Sequence, residues 1–257
     1  MSTTGQTNRS RFDGLWQIAR YNWPQYAAAA IVILAAAAWL NFSDRPAPWL
    51  RLFVWTTMLA AAWWSAASLL ASHWIYDVSE LYRWTWIPSV LPAPPINWLN
   101  LHAGLDESSA TLQELFPKSN GITCDFFDAT EMSEPSIQRA RAEQTTLLAK
   151  QINYRQFPFA CGQFDTVFIL FAAHELRRAS SREILFRELH RVLAPAGTIL
   201  LVEHARDAAN FVVFGPGFLH FLAAGEWRRL TEHVGLKIVT EQRMTPFVRI
   251  IQLKRTS

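Results

Sequence analysis

What this sequence has little of narrows it first. Only two cysteines, Cys124 and Cys161, occur in 257 residues, and their spacing fits no metal or redox motif. That excludes a disulfide-stapled scaffold; two buried thiols in a reducing compartment is the simplest expectation, with a single disulfide as the alternative. No run of lysine or arginine accompanies the net charge of +3, so nucleic acid is not an expected partner. Glycine is missing between Gly14 and Gly104, and between Tyr21 and Tyr76 the only charged residues are Asp44, Arg45 and Arg51. Tryptophan shows the opposite bias, with eleven of twelve at or before Trp98. From Asn97 onward, charges and glycines return at ordinary globular density, so the chain divides into two unlike parts.

The first part reads as a membrane hairpin. Residues 1–20 form a basic leader, and residues 21–76 contain two uncharged runs, "YAAAAIVILAAAAWL" and "LFVWTTMLAAAWWSAASLL". A bilayer core of ~30 Å needs about 20 such residues in a helix. Trp23, Tyr26 and Trp39 flank the first run and Trp49, Trp74 and Tyr76 the second, as interfacial aromatics do. Two long helices buried in a soluble core are the alternative; a cleaved signal is disfavoured by the second run that follows directly. The short connection "NFSDRPAP" makes the pair antiparallel, with both termini on one side. Arg9, Arg11 and Arg20 precede the first span and Arg83 follows the second, while Arg45 and Arg51 in the loop offset them. The expectation is a two-pass protein of the inner membrane, with the bilayer as partner and the second half in the cytoplasm. Residues 77–96 read as an interfacial helix and proline-rich linker, ended by Pro88, Pro92, Pro94 and Pro95.

The second part, residues 97–257, alternates strands with helices. "WLNL", "GITCDFF", a weak "QINYRQ", "FDTVFILF", "AGTILLVEH", "KIVTEQ" and "VRIIQLK" are the strands. Helices lie at "SSATLQELFP", capped by Ser108 or Ser109, then at "SEPSIQRARAEQ", "SSREILFRELHRVLAP" and "GEWRRLTEHVGL". The pattern is an α/β fold with a mostly parallel sheet. Ligands in such sheets bind beyond the carboxyl ends of the strands, where the strand order reverses. Polar residues gather at those ends: His102 and Asp106, Asp125 and Asp128, His174 and Glu175, then His204, Arg206 and Asp207.

"PFACGQFDTVFILFAAHEL", "RELHRVLAPAGTILLVEH" and "EWRRLTEHVGLKIV" resemble the second half of class I S-adenosylmethionine-dependent methyltransferases, the group that includes ubiquinone and menaquinone methyltransferases. The resemblance covers roughly residues 97 to 257. It implies a Rossmann-like seven-stranded sheet with the last strand, Val248 to Lys254, antiparallel in a terminal hairpin. It also implies S-adenosylmethionine as cofactor, bound by the loop bearing Asn100, His102, Gly104 and Asp106. Only Gly104 matches the usual acidic residue and three glycines there. Asp125 stands where the family binds the ribose hydroxyls, with Asp128 as competitor, and Asn153 replaces the third-strand acid that contacts the adenine amine. A histidine in place of glycine narrows the approach to the backbone.

His174, Glu175, His204 and Asp207 are the catalytic candidates, with His174 and His204 the leading bases and His220 third. A base is needed only if the acceptor must lose a proton. An HExxH zinc motif fails because residue 178 is arginine, so no metal is expected. Arg206 and Asn210 could orient a polar head, and pairing of Arg206 with Asp207 or Glu203 is the structural alternative. "FVVFGPGFLHF", hinged by Gly215, Pro216 and Gly217, reads as a lid, a membrane-dipping loop or ordinary core; Arg187, Glu188 and Arg191 read as a solvated helix face. The expected function is a membrane-anchored methyltransferase acting on a lipophilic small molecule: a quinone, an isoprenoid, a lipid-linked phenol or a phospholipid head. An inactive scaffold or sensor, or another chemistry on the same fold, are its rivals. The sequence leaves the oligomeric state open.

Overall fold

The computed structural model describes residues 10–44, 46–143 and 149–256. Helices in chain order are α1 (Asp13–Tyr21), α2 (Trp23–Phe42), α3 (Pro48–His73), α4 (Ile87–Val90), α5 (Ser109–Leu115), α6 (Pro135–Glu143), α7 (Ala179–Val192), α8 (Ala208–Phe214) and α9 (Ala224–His233). Strands are β1 (Asn97–His102), β2 (Asn120–Asp125), β3 (Lys150–Gln151), β4 (Phe164–Leu170), β5 (Leu193–His204), β6 (Leu236–Thr245) and β7 (Val248–Arg255). The chain forms two units: Met1–Ser79 with Ala208–Phe218, and Glu80–Asp207 with Leu219–Ser257. Arg9 of the basic leader, Arg45 of the loop and Gln144 of the expected helix lie outside the described residues.

In the first unit, α2 and α3 each carry proline in the first turn, where its missing N–H costs no hydrogen bond. The stretches Trp23–Phe42 and Pro48–Val78 are long and apolar enough to cross a membrane, with mean hydropathy 1.6 and 1.3. They are not core helices: their apolar windows are 0% and 6% buried, and Ile31, Leu34, Leu52 and Leu59 stand exposed. α1 is fixed by Asp77, whose carboxylate accepts the Gly14 and Leu15 N–H groups at 2.7 and 3.0 Å. An anion there satisfies free amides and meets the positive end of the helix dipole.

The aromatic stretch after β5 splits between the units. Ala208–Phe218 packs on α3: the Trp63 indole N–H donates to the Val212 carbonyl at 2.9 Å, and the Trp64 and Phe211 rings lie 5.8 Å apart. Gly215 has φ +53°, and a Cβ there would strike the Trp64 ring, so no other residue suits this turn.

The second unit starts at Glu80, earlier than the proline-rich boundary. No continuous interfacial helix forms here. A 3₁₀ turn at Leu81–Arg83 is followed by Trp84 at φ +58° and the four-residue α4. Leu81, Trp84 and Ile87 are buried, because these side chains find apolar surface on the α/β unit itself. The Gln252 amide donates to the Val90 carbonyl at 2.6 Å and pins the segment to β7.

The sheet has the order β3-β2-β1-β4-β5-β7-β6, and only β7 runs antiparallel to its neighbours. Val167, Phe168 and Ile169 of β4 are all fully buried, as a parallel strand covered on both faces must be. β3 is only two residues, shorter than the expected "QINYRQ", because Asn153 turns the chain by accepting the Arg155 N–H at 2.9 Å. β5 begins at Leu193, where the sequence predicts the end of a helix at Pro195 and then a turn at the start of "AGTILLVEH". A register shift between Phe164 and Thr166 absorbs Pro195, which cannot donate to the ladder.

Three smaller expectations change as well. Cys124 is buried but Cys161 is exposed, and both are free thiols. Ser108 makes no side-chain cap to α5; instead Asp106 accepts the Ser108 and Ser109 N–H groups at 3.2 and 3.0 Å. Of the charges on α7, Arg187 does pair with Glu183 on the surface, but Glu188 and Arg191 clamp a loop. Glu188 accepts the Phe157 N–H at 2.6 Å, while Arg191 donates to the Phe157 and Phe159 carbonyls at 3.0 and 2.8 Å.

Candidate functional site

The strand order reverses between β1 and β4, and both carry polar residues at their carboxyl ends. On the β1–β2 side, register pairs His102 with Asp125, so these two side chains share one edge of the sheet. Asn100 is buried and donates to Ser108 Oγ at 3.0 Å, which ties β1 to the start of α5. Gly104 sits at φ +105°, a conformation that glycine alone adopts freely, and its N–H donates to His102 Nδ1 at 3.2 Å. His102 must therefore carry its proton on Nε2. Burial pushes its pKa down, against the pull of Asp106 and Asp125, so the ring is neutral. Its Nε2 is buried without a partner, a donor with nothing to bond.

Asp125 separates from its competitor. It is buried at the end of β2, accepts the Phe127 N–H at 2.9 Å, and takes Arg141 Nη1 at 2.6 Å. Asp128 lies outside on the following turn, accepting the Thr130 N–H and hydroxyl at 2.9 and 2.6 Å, bonds that hold its carboxyl below the usual range. Arg141 was not marked by the sequence. From α6 it reaches Asp125, lies 4.0 Å over the Phe127 ring and fills the space beside Gly104. Asn153 is exposed and accepts the Arg155 N–H in its own turn, directly after Ile152, whose N–H donates to the Asp125 carbonyl at 2.9 Å.

On the β4–β5 side, a 3₁₀ turn at Ala173–Glu175 follows β4. Glu203 of β5 is buried and accepts the backbone N–H groups of Ala173 and His174 at 2.9 and 3.2 Å. Its other oxygen meets His174 Nδ1 at 2.6 Å. A glutamate in the otherwise apolar "ILLVEH" was the sequence signal for this anchor. His174 Nε2 lies 3.4 Å from Glu175 Oε1. Burial opposes charge on His174, but Glu203 and Glu175 overcome it and raise its pKa to about 10. A histidine held protonated stabilises negative charge rather than acting as a base. His220 packs edge-on to His174 with ring centroids 5.0 Å apart, and burial beside that cation drives its pKa to about 3. No zinc motif was needed to bring these residues together: two adjacent positions and one from a distant turn do so.

Around them stands a set of rings. Phe171, at φ +54° directly after β4, touches Tyr82 at 5.7 Å, Trp84 at 6.2 Å and His204 at 5.2 Å. His204 stacks on Phe221 at 4.6 Å and 18°. A bulky side chain in the left-handed region is strained, and such strain collects at functional sites. Asp207 does not join this group. It accepts Arg243 Nη2 at 2.8 Å and faces Arg249 at 3.6 Å, an ion pair at the sheet edge. Arg206 donates to the Phe221 carbonyl at 2.8 Å and faces Glu226 at 3.7 Å. Asn210 is buried in the other unit.

Residues 117–201 match the family model described as a methyltransferase domain, about a third of the chain. No curated protein is similar to the sequence. Among solved structures, the fold is similar to an S-adenosylmethionine-dependent methyltransferase from Aquifex aeolicus, with TM-score 0.52 and 13% identity over 74% of this chain and 96% of that one. It is also similar to the pyocyanin biosynthetic protein PhzM (TM-score 0.56, 14% identity, 97% and 74% of the two chains) and to the mitomycin 7-O-methyltransferase MmcR (0.55, 13%, 97% and 74%). The second unit has the class I methyltransferase fold, with its seven-stranded mixed sheet. The domain match and the fold together support an S-adenosylmethionine-dependent methyltransferase with that cofactor.

The residues present fit such a cofactor. Gly104 keeps the one positive-φ position beside β1, Asp125 offers a buried carboxylate, and the bare His102 Nε2–H is a donor for a carboxylate or hydroxyl. Arg141 is the departure, since it already pairs with one oxygen of the Asp125 carboxylate.

Proposed function

We propose that the protein is an S-adenosylmethionine-dependent methyltransferase anchored in the inner membrane by its apolar hairpin, with the α/β unit in the cytoplasm. Its acceptor is a lipophilic aromatic oxygen nucleophile of the quinol or lipid-linked phenol class, in keeping with the ubiquinone and menaquinone likeness. The observation that carries the acceptor class is the ring set of Tyr82, Trp84, Phe171, His204 and Phe221 at the ends of β4 and β5. Flat aromatic walls take a flat aromatic ligand through apolar burial and stacking.

When bound, S-adenosylmethionine supplies an electrophilic methyl group on a sulfonium. Asp125 and His102 would hold the cofactor, and the His174 imidazolium would stabilise a phenolate beside it. Methyl transfer needs chiefly alignment and exclusion of water, which buried side chains on rigid strand ends provide. The name of the mitomycin enzyme, a 7-O-methyltransferase, is consistent with an oxygen acceptor on this fold. The exposed apolar faces of α2 and α3 support the anchor.

Incubation of membranes containing the protein with methyl-labelled S-adenosylmethionine tests the reading. Label should enter the organic-extractable quinol or phenol fraction, and Asp125→Ala should abolish it. Absence of label in lipid extracts from active-folded protein refutes the proposal. A second reading, an inactive scaffold, is favoured by one observation, the Arg141–Asp125 ion pair across the ribose position.

A further inference from the structure

We propose that His174, Glu175 and His220 bind a divalent first-row transition-metal ion of the zinc type beside the acceptor position. One ligand atom from each residue lies within 4.8 Å of the other two. His174 Nε2 and Glu175 Oε1 are already 3.4 Å apart, the edge of a tetrahedron with metal–ligand bonds of about 2.0–2.1 Å. Only His220 has to close on them, and its side chain retains 27% exposure, which leaves room to turn.

The surroundings are those of a ligand set. Glu203 holds His174 Nδ1 at 2.6 Å, which leaves Nε2 as the outward ligand atom once a metal displaces its proton, and Glu134 stands 3.7 Å from His220 Nδ1, an ion-pair rather than a hydrogen-bond distance. A carboxylate behind a histidine fixes its orientation and raises its basicity toward a metal. Arg177 donates to the carbonyls of His220 and Leu219 and so fixes the distant turn against the β4 end. Glu175 Oε2 is buried with no partner, an acceptor that a cation would satisfy.

Two imidazoles and one carboxylate select zinc, iron, cobalt or nickel over magnesium or calcium, which prefer oxygen. Three protein ligands also leave coordination positions open, as in catalytic rather than structural sites. The role of the ion rests on the methyltransferase reading: it would replace the His174 Nε2 proton and take over the imidazolium's part. It would lower the pKa of a coordinated acceptor oxygen, so that its proton passes to water before the methyl moves from sulfonium to oxygen and S-adenosylhomocysteine leaves.

The test uses detergent-solubilised, tag-free full-length protein and two separate titrations, one with Zn²⁺ and one with S-adenosylhomocysteine. Zn²⁺ should bind at one equivalent, and Co²⁺ in its place should give a visible ligand-field spectrum. His220→Ala and Glu175→Gln should weaken Zn²⁺ binding at least tenfold, and Glu203→Gln by about 10–100-fold. His233→Ala, at a surface histidine, should leave it unchanged. Thermal unfolding of each variant checks that it is folded. Absence of stoichiometric Zn²⁺ binding by the folded protein, or binding that His220→Ala leaves intact, overturns the site. Zn²⁺ binding without S-adenosylhomocysteine binding keeps the site and overturns the methyltransferase reading; the reverse result does the opposite.

Discussion

At the scale of single residues, the cofactor side turns on three side chains. In the proposed cofactor site, ribose hydroxyls would compete with Arg141 for Asp125, and a charge-assisted hydrogen bond is worth about 1.5–3 kcal/mol. Arg141→Ala should therefore tighten S-adenosylhomocysteine binding by about tenfold, the equivalent of about 1.4 kcal/mol. His102→Ala removes the donor on Nε2 and should weaken it, and calorimetry reads both. Unchanged affinity in both variants would show that the ligand sits elsewhere. Spacing favoured Asp125 with Asp128 as its competitor; the register of β2 against β1 sets Asp125 opposite His102, and register is a property of the sheet. Arg141 was illegible for a related reason. Nothing in "IQRARAE" says which arginine faces β2, since that depends on how α6 is docked.

At the scale of elements, the strands were readable and the irregular pieces were not. β4 and β5 carry the apolar runs "VFIL" and "ILLV", so their existence, burial and the antiparallel β7 followed from pattern and likeness. The stretch Leu81–Leu91 alternates aromatics with charges like an interfacial helix, yet folds as two short turns because Trp84 and Ile87 are drawn into the α/β unit. On α7, "ELHR" looks like a solvated face, but Glu188 and Arg191 find the backbone of a loop thirty residues upstream. This clamp is testable. Hydrogen bonding from Arg191, outweighing desolvation, holds the Glu188 carboxyl below its ordinary value. Its stabilisation is then complete above the unfolded carboxylate pKa and is lost as pH falls through the lowered folded value. Glu188→Gln should cost about 1–2 kcal/mol at neutral pH. In thermal unfolding the gap to the parent protein should close on acidification; a gap that persists in acid would contradict the clamp.

At the scale of the whole molecule, an apolar hairpin precedes an α/β unit in one chain. The protein should sediment with membranes, resist extraction by high salt and be released by detergent. An arginine at a span's centre costs about 2.5–3.5 kcal/mol, so Leu34→Arg with Leu59→Arg should move it to the soluble or aggregated fraction. Release of the parent protein by salt alone would contradict the anchor. Orientation has a built-in reporter, since Cys161 is exposed and Cys124 buried. A membrane-impermeant maleimide should label Cys161 only after the inner membrane is opened; labelling in intact spheroplasts would place the α/β unit on the outer side. The sequence made the hairpin conspicuous through missing charge and glycine. It could not show that Ala208–Phe218, far along the chain, packs on α3, because that contact joins segments with no shared pattern.

In the proposed function, the altered loop after β1 still works as a cofactor site. Calorimetric titration of the solubilised full chain with S-adenosylhomocysteine, beside Asp125→Ala, tests it most directly. Saturable one-to-one binding that the substitution abolishes is the predicted result. No heat of binding at millimolar ligand, from protein shown to be folded, would contradict it.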